Sequence, residues 1–377
     1  LEAYDKFFSV EGTSDGIVER TLQDMTACTY AKTLKSNMDV INVELLDTVV
    51  FNKGTTAFGV SFWGDDKLIF SSAREGGVII DSEVQDSEYL LDLYWTERDG
   101  NIWSEAKNFG RPLNSAKHDA SGMFNNHNVI FSTHWSGDKL NEKYITLTRG
   151  VENQFFETQK LDFNVNVEGF QSINPFVSED GKWLFFSSDK PGTIGGLDLW
   201  KIKIDQSGNT IGESINLGKP VNTEYDEKSP FYHEKLKSIF FSSNGHNNLG
   251  GFDIFKSMYD KDLEIFRRPD NLGYPINSSK DDTYFILDSQ LKNGFLTSNR
   301  GDCSNCDSVY KLCASCDYIY SVTYPNLEFS ISGYVYDEAT GEVIPEAIVK
   351  FTDVTYEQEA FELKTDVNGY YNQTIGQ

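Results

Sequence analysis

A short pattern, an apolar pair followed by small hydroxyl residues, recurs along this chain at a nearly constant interval. Its five copies end at Ser72, Thr133, Ser188, Ser243 and Ser298, at intervals of 61, 55, 55 and 55 residues. An insertion over residues 75–89 explains the longer first interval. Periods of this length are typical of repeat architectures, in which one unit cannot bury both of its faces and must stack against its neighbours.

Two further motifs keep the same register. Residues 195–201 (GGLDLWK) recur as 250–256 (GGFDIFK), and residues 216–220 (NLGKP) recur as 271–275 (NLGYP). Each repeat holds four short β-like runs separated by turn residues such as Gly, which supplies the positive φ of a hairpin. In the third copy these runs cover residues 173–177, 183–188, 197–204 and 211–217. Four antiparallel strands make a propeller blade, so the sequence predicts an all-β chain dominated by a five-bladed β-propeller.

Closure of such a ring usually combines strands from both ends of the chain, because this removes exposed sheet edges. Residues 40–51 (VINVELLDTVVF) form a strand-like run before the first full repeat. The sequence predicts that this run completes the last blade beside residues 308–312.

The repeat resembles a known propeller family. Residues 180–189 (DGKWLFFSSD), followed by 195–200 (GGLDLW), are similar to the TolB-type, WD-like repeat. Residues 222–226 (NTEYD), before 229–231 (SPF), resemble the version of this repeat in large OmpA-family envelope proteins of Bacteroidota. The resemblance implies a protein of the bacterial cell envelope, in the periplasm or associated with the outer membrane.

The segments that flank the propeller, assigned to residues 38–325, carry other patterns. In residues 1–37, Val18, Leu22 and Met25 share one helical face, which predicts a short helical segment. The resemblance implies that this is the end of a tetratricopeptide-type repeat. Residues 326–377 alternate between apolar and polar positions and resemble an incomplete carboxypeptidase regulatory-like domain, a partial β-sandwich.

Helical segment, propeller and regulatory-like domain, in this order, are similar to the PorE-like, OmpA-family proteins linked to type nine secretion. Those proteins bind peptidoglycan through an OmpA-like domain, and no motif of that domain is found in this sequence. The resemblance therefore implies other envelope or secretion-complex proteins as partners, and peptidoglycan only through a domain absent here.

The charge balance narrows the classes of partner. The chain has 33 basic and 58 acidic residues, a net charge of -25, which repels nucleic acid and anionic lipid headgroups. Cationic partners, divalent ions or plain solvation suit such a surface. No apolar run reaches the roughly 18 residues that a membrane-spanning helix needs. No signal peptide or initiator Met is visible at Leu1, and we expect a mature chain or a fragment.

Four of the five cysteines form one cluster. Cys303, Cys306, Cys313 and Cys316 have the spacing C-x2-C-x6-C-x2-C. In an oxidising compartment such a cluster forms two disulfides, whereas in the cytosol the four thiolates could hold zinc. The sequence favours disulfides, with at least one bridge joining the first pair to the second, and leaves zinc and free thiols as alternatives.

The sequence shows no catalytic motif. The five histidines form no paired metal motif, no G-x-S-x-G elbow is present, and we expect no cofactor. Asp198 and Asp253 follow Gly-Gly pairs, where a carboxylate accepts backbone N–H bonds and fixes a turn. Asp119, Asp226 and Asp281 precede the innermost strands. These three are candidate ligand contacts at the mouth of the axial channel, for a cation or cationic peptide, with turn capping as the alternative.

These observations predict a non-enzymatic binding or scaffolding module of an outer-membrane or periplasmic complex, with a role in type nine secretion and peptidoglycan anchorage. Two alternatives remain open. One is a propeller that hydrolyses a glycan or peptide, or binds a glycan, with carboxylates about 5–10 Å apart at the channel mouth. The other is a module organised by a metal ion.

Overall fold

The computed structural model describes residues 25–26, 29–30, 32, 41–78, 89–100, 102–125, 128–135, 143–151, 154–301, 317–325, 328–351 and 361–376. The few described positions before residue 41 have helical backbone, and the rest of the predicted helical segment lies outside the described residues. From residue 41 onward, every regular element in the described ranges is a β-strand. Among the described residues, no helix has the length and hydropathy to cross a membrane.

Five antiparallel sheets form a propeller, and the first strands of the sheets contact one another around the axis. The first strand of the chain, β1 (Asn42–Leu45), belongs to the last blade. Blade 1 contains β2 (Thr56–Trp63), β3 (Lys67–Ala73), β4 (Leu91–Asp99), β5 (Ile102–Trp103) and β6 (Lys107–Asn108). Blade 2 contains β7 (His118–Asn125), β8 (Val129–Trp135), β9 (Tyr144–Val151), β10 (Gln154–Phe155) and β11 (Gln159–Lys160).

Blade 3 contains β12 (Ser172–Val177), β13 (Trp183–Ser188), β14 (Asp198–Ile204) and β15 (Thr210–Asn216). Blade 4 contains β16 (Glu227–His233), β17 (Ser238–Ser243), β18 (Asp253–Asp260), β19 (Ile265–Phe266) and β20 (Asp270–Asn271). Blade 5 contains β21 (Asp282–Leu287), β22 (Asn293–Ser298), β23 (Tyr318–Thr323) and, on the outside, β1. The predicted five-bladed propeller is confirmed, and the four strands of blade 3 lie within one residue of their predicted bounds.

Ring closure occurs through the predicted N-terminal run but with a different partner. Strand β1 pairs with β23, with Asn42 opposite Thr323 and Leu45 opposite Tyr320. The predicted partner, residues 308–312, was wrong. The third strand of blade 5 begins at Tyr318 instead, because the sequence between β22 and this strand is about ten residues longer than the 55-residue period implies.

The hydrophobic core lies between neighbouring blades. The second strand of each blade is packed on both faces, and every residue of β17 (SIFFSS) is buried, as expected for a strand covered on two sides. Phe131 of blade 2 and Phe186 of blade 3 belong to one buried cluster, and Phe241 joins blades 3 and 4 in another. Each blade is therefore stabilised by burial against the next one around the ring.

A ring of buried asparagines joins the blades. In blade 3, Asn222 Oδ1 accepts from the Leu199 N–H at 2.9 Å, and Asn222 Nδ2 donates to the Leu199 carbonyl at 3.1 Å. At the closure, Asn52 makes the same pair of bonds with Ile319, at 2.8 and 2.9 Å, across 267 residues of sequence. The five asparagines with this role are Asn52, Asn114, Asn166, Asn222 and Asn277.

The C-terminal segment contains the predicted strands but not a confirmed sandwich. Strand β24 (Glu328–Tyr334) pairs with β27 (Tyr370–Gly376), and β25 (Ile348–Phe351) pairs with β26 (Phe361–Lys364). These are two separate two-stranded sheets. The partial β-sandwich expected from the sequence is therefore not established.

Candidate functional site: the axial cup

The innermost strands share one irregularity that shapes the axis of the propeller. Each carries a β-bulge, and one residue in every bulge has positive φ, between 52° and 68°. Bulges bend a strand and re-aim its side chains. The five left-handed residues are Gly59, Ser121, Asn174, Ser229 and Tyr284.

Tyr284 closes the channel at this level. Its hydroxyl lies 2.7 Å from Asn174 Nδ2 and 3.0 Å from Ser121 Oγ, which belong to two other blades. A Cβ at Gly59 would lie 3.3 Å from the Tyr284 ring. Glycine therefore both adopts the positive φ and leaves room for this ring. Burial raises the pKa of Tyr284 to about 12, so the phenol stays protonated near neutral pH. We call this arrangement the axial plug; it separates the start face, where the inner strands begin, from the end face, where they end.

A blind cavity of about 510 Å³ opens on the end face above the axial plug. Its floor is one ring of residues, each two positions after a left-handed residue. The ring is largely apolar and consists of Ser61, Met123, Phe176, Phe231 and Ile286. We call this cavity the axial cup.

The aromatic part of the floor is held by ring contacts. The rings of Phe176 and Phe231 meet edge to face, with centroids 5.2 Å apart, and Phe231 also contacts Phe240 at 5.7 Å. Phe231 is buried, whereas Phe176 is half-buried and lines the cup. Such edge-to-face pairs favour one arrangement of the rings, so the floor offers a preformed apolar surface.

Carboxylates form the rim. Asp65, Glu179, Glu234 and Asp288 line the cup, each from the turn after the first strand of its blade. The pKa of Glu234 is raised above its usual value of 4.5, first by burial and then by the charges of Asp180 and Glu179. The pKa of Asp180 is lowered, since hydrogen bonds from Ser178 and Lys182 outweigh its burial. Two neighbouring carboxyl groups at the rim therefore have pKa values shifted in opposite directions, that of Glu234 upward and that of Asp180 downward.

His233 lines the same cavity and has a structural role. Its Nδ1 accepts from the Leu236 N–H at 3.4 Å, so Nε2 carries the proton and donates to the Asp288 carbonyl at 3.1 Å. Burial lowers the pKa of His233, which keeps the imidazole neutral. The histidine thus joins the rim turns of blades 4 and 5.

The sequence-predicted residues Asp226 and Asp281 lie at the start face, on the other side of the plug. Each caps a turn of the preceding blade: Asp226 Oδ1 accepts from the Leu197 N–H at 2.8 Å, and Asp281 Oδ1 accepts from the Phe252 N–H at 2.9 Å. A Cβ at Gly196 would lie 2.2 Å from Asp226 Oδ1, so only glycine permits this approach. Their role as ligand contacts stays a prediction.

Asp119 lies one position further along its strand than Asp226 and Asp281 do on theirs. It corresponds to Glu227 and Asp282, because all three accept a backbone N–H from four residues earlier, as in the 2.6 Å bond from the Ser115 N–H to Asp119. His118 takes the place of Asp226 in blade 2, since its Nδ1 accepts from the Leu91 N–H at 3.2 Å. The structure therefore brings Asp226 and Asp281 into one ring but not Asp119.

Two sequence predictions remain, the turns fixed by aspartates and the cysteine cluster. The first is confirmed, and the second concerns residues outside the described part of the chain. Asp198 and Asp253 fix turns as predicted, by accepting from the N–H groups of Ile194 at 2.7 Å and Leu249 at 2.6 Å. The cysteines of the cluster lie in the segment 302–316, outside the described residues, and their disulfides stay a prediction. Within the described ranges, no group of three or more His, Cys, Asp or Glu side chains is placed to hold a metal ion.

Comparisons with known proteins give fold-level likenesses at low identity. No protein-family model matches the chain, and no curated protein matches it. The α-L-arabinofuranosidase of Lactobacillus brevis is similar over 82% of this chain and 97% of its own, with 10% identity and a TM-score of 0.47. The exo-β-1,3-galactanase 1,3Gal43A of Clostridium thermocellum covers 89% of this chain and 78% of its own, with 13% identity and a TM-score of 0.46. A structure described as TolB, from Agrobacterium tumefaciens, covers 90% and 98%, with 13% identity and a TM-score of 0.41.

These findings correct the expectation of a non-enzymatic scaffold. Most of the similar solved structures are named as arabinofuranosidases, arabinanases or a galactanase, all of them enzymes. The sequence concealed the rim carboxylates because they come from turns that are more than 50 residues apart and form no linear motif. Their shared position, directly after the first strand of four blades, was the signal that could have revealed them.

Proposed function

We propose that this protein binds a carbohydrate in the axial cup and hydrolyses a glycosidic bond there. The observation that carries the proposal is the cup itself, a blind cavity of about 510 Å³ with an aromatic floor and a rim of carboxylates. Its volume falls within the roughly 300–1,000 Å³ of small-molecule sites, which pair apolar walls with a few convergent polar groups.

Glycoside hydrolysis generally needs two carboxyl groups in different protonation states. Glu234 is assigned the role of general acid, since it lines the cup and burial and the charges of Asp180 and Glu179 raise its pKa above the usual 4.5. In this role it protonates the oxygen of the leaving group as the glycosidic bond breaks. Glu179, whose charge contributes to that pKa shift, is assigned the role of the second carboxyl group, either as base for a water molecule or as nucleophile.

The floor supports the binding half of the proposal. Phe176 and Phe231 present aromatic surface at the base of the cup, and a sugar ring has apolar C–H faces that can pack on it. The axial plug closes the channel beneath this floor. A sugar unit would therefore enter from the end face and stop above Tyr284.

We further propose that the protein acts at the bacterial cell envelope, in the periplasm or at the outer membrane, beside other envelope or secretion-complex proteins. The support is the resemblance of residues 180–200 and 222–231 to the TolB-type repeats of PorE-like, OmpA-family proteins. Residues 326–377 are proposed to be a carboxypeptidase regulatory-like domain on the same basis. Peptidoglycan contact through an OmpA-like domain would lie outside this sequence.

Release of reducing ends from a panel of oligosaccharides tests the function directly. The panel contains arabino- and galacto-oligosaccharides, amino-sugar oligomers and peptidoglycan fragments. We expect turnover of at least one class by the unaltered chain and its loss in Glu234→Gln. Glu213→Gln is the matched control, because Glu213 is exposed on β15, an outer strand. Absence of both binding and turnover across the panel would overturn the proposal, as would full activity in Glu234→Gln.

A further inference from the structure

A lysine of blade 4 lies near the axis on the start face of the propeller. Lys228 directly precedes the left-handed residue Ser229 on β16, so it lies one position to the start-face side of the axial plug. Burial lowers the pKa of Lys228, the charges of Asp281 and Asp317 before two strands of blade 5 oppose this shift, and the charge of Lys143 before β9 of blade 2 adds to it. Lys228 therefore lies where several blades meet.

The Lys228 ammonium has no polar partner in the described part of the chain. It lies 3.6 Å from the centroid of the Phe252 ring and makes neither a hydrogen bond nor an ion pair with any described residue. Ser242 stands directly opposite Lys228 on β17, and its buried hydroxyl oxygen also lacks a hydrogen-bond partner among these residues. The positive charge is thus partly withdrawn from water without a direct pair.

A carboxylate beside this lysine is unpaired as well. Asp317 directly precedes β23, and its side chain makes no hydrogen bond or ion pair within the described ranges. Burial raises the pKa of Asp317, and the charge of Lys228 opposes this shift. The two groups are therefore close enough to affect each other's charge, yet they do not bond. Asp226 and Asp281 differ from Asp317, because their carboxylates cap the turns before Leu197 and Phe252.

This arrangement of charges selects one class of ligand. A charge that leaves water without gaining a partner is unfavourable, so a ligand that pairs with it gains affinity. An anion would pair with Lys228 but meet the negative charge of Asp317, and a cation would meet the reverse conflict. A neutral molecule pairs with neither group, whereas a molecule with both charges pairs with both.

Apolar side chains lie at the same level of the axis. Phe58 of blade 1 and Ile173 of blade 3 occupy the position of Lys228, each directly before a left-handed residue, and both are half-buried. The Phe58 ring also contacts the ring of Tyr284, with centroids 5.4 Å apart. The start face therefore offers hydrocarbon surface beside the two unpaired charges.

We propose that the start face of the propeller binds a compact zwitterion, a molecule of the amino-acid type, with its carboxylate on Lys228 and its ammonium group on Asp317. The hydrocarbon part of the ligand packs against Phe58 and Ile173. The axial plug separates this site from the axial cup. The inference therefore goes beyond the proposed hydrolysis and does not depend on it.

Calorimetric titration of the full chain with 4-aminobutyrate, butyrate and butylamine tests the need for both charges. Glycine and 6-aminohexanoate extend the series to shorter and longer separations of the two charges. We expect at least one zwitterion to bind at least about tenfold more tightly than butyrate or butylamine, because it forms two charge pairs instead of one.

Variants locate the site. Lys228→Met and Asp317→Asn should each reduce the affinity of that zwitterion to the level of the singly charged compounds. Lys235→Met is the matched control, since Lys235 is exposed on the end face, in the turn after β16. This control should bind the zwitterion as the unaltered chain does.

Several outcomes would overturn the inference. Binding of butyrate or butylamine as tight as that of the best zwitterion would show that one charge is enough, and absence of binding across the series would show that no such site exists. Unchanged affinity in both Lys228→Met and Asp317→Asn would also contradict it. If one of these variants fails to fold, the other variant and the ligand series on the unaltered chain still decide.

Discussion

Asn174 Nδ2 donates a hydrogen bond of 2.7 Å to the phenol oxygen of Tyr284 across the axis of the propeller. The two residues are 110 positions apart in sequence and belong to blades 3 and 5. Both have positive φ, because each occupies the bulge of an inner strand. This contact makes the end face a blind cup rather than the mouth of an open channel.

Removing the hydroxyl of the plug should destabilise the propeller. Tyr284→Phe deletes the bonds to Asn174 and Ser121 and leaves their polar groups poorly paired. We expect the free energy of unfolding to fall by about 1–2 kcal/mol, measured by urea denaturation. Tyr274→Phe is the control, since Tyr274 is exposed. Equal stability of the two variants would show that the plug contributes nothing.

The closure of the ring should depend on Asn52. Asn52→Ala removes the two bonds to the Ile319 backbone and a third, at 3.0 Å, to the Leu46 carbonyl. Because this site is buried, the N–H and carbonyl groups of Ile319 would then have neither the asparagine nor water as a hydrogen-bond partner. We expect a loss of about 2–4 kcal/mol in thermal or chemical unfolding. Asn42→Ala, which breaks only an exposed contact with Glu44, should cost far less; similar losses would contradict the account.

The stability of the propeller should depend on pH through Glu227. Burial raises the pKa of this carboxyl from 4.5 to about 7, although Ser243 and Thr223 donate hydrogen bonds to it. The folded state therefore binds the proton more tightly than the unfolded chain does. Its contribution to stability is complete below pH 4.5 and is lost as the pH rises through about 7, by about 3 kcal/mol.

Urea denaturation at pH values from 5 to 8 measures this effect as a difference between variants. In Glu227→Gln, the free energy of unfolding should lose the part of its pH dependence that Glu227 causes. In Glu213→Gln that pH dependence should be retained. Burial lowers the pKa values of His233 and His246, so these two histidines make the protein more stable as the pH rises, opposite to Glu227. Their effect is the same in all three proteins and cancels in the comparison. Identical slopes in Glu227→Gln and the unaltered chain would refute the assignment.

Much of the fold could be predicted because short sequence motifs that repeat along the chain determine it. The 55-residue period gave the blade count, and the Gly-Gly-x-Asp motif gave the turns fixed by Asp198 and Asp253. The partner of β1 could not be predicted, since the chain between β22 and Tyr318 is about ten residues longer than the 55-residue period implies, and periodicity does not reveal such an insertion.

The candidate site was harder to predict, because it exists only once the ring is closed. Glu179 lies within the turn EDGK, where an acidic residue looks like ordinary turn chemistry. Glu179 and Glu234 become neighbours only when the closed ring brings several such turns together around one axis. The plug was hidden for a similar reason, since a tyrosine in a strand resembles any other core residue until its bulge aims it at the axis.

The proposed hydrolysis takes place in the axial cup on the end face and not at the start face. The direct measurement compares Glu234→Gln with Asp226→Asn in the reducing-end assay, using a sugar that the unaltered chain hydrolyses. Asparagine retains the oxygen that accepts from the Leu197 N–H, so Asp226→Asn should stay folded and active, while Glu234→Gln should lose at least about 100-fold in rate. Loss of activity in Asp226→Asn with an active Glu234→Gln would contradict the account.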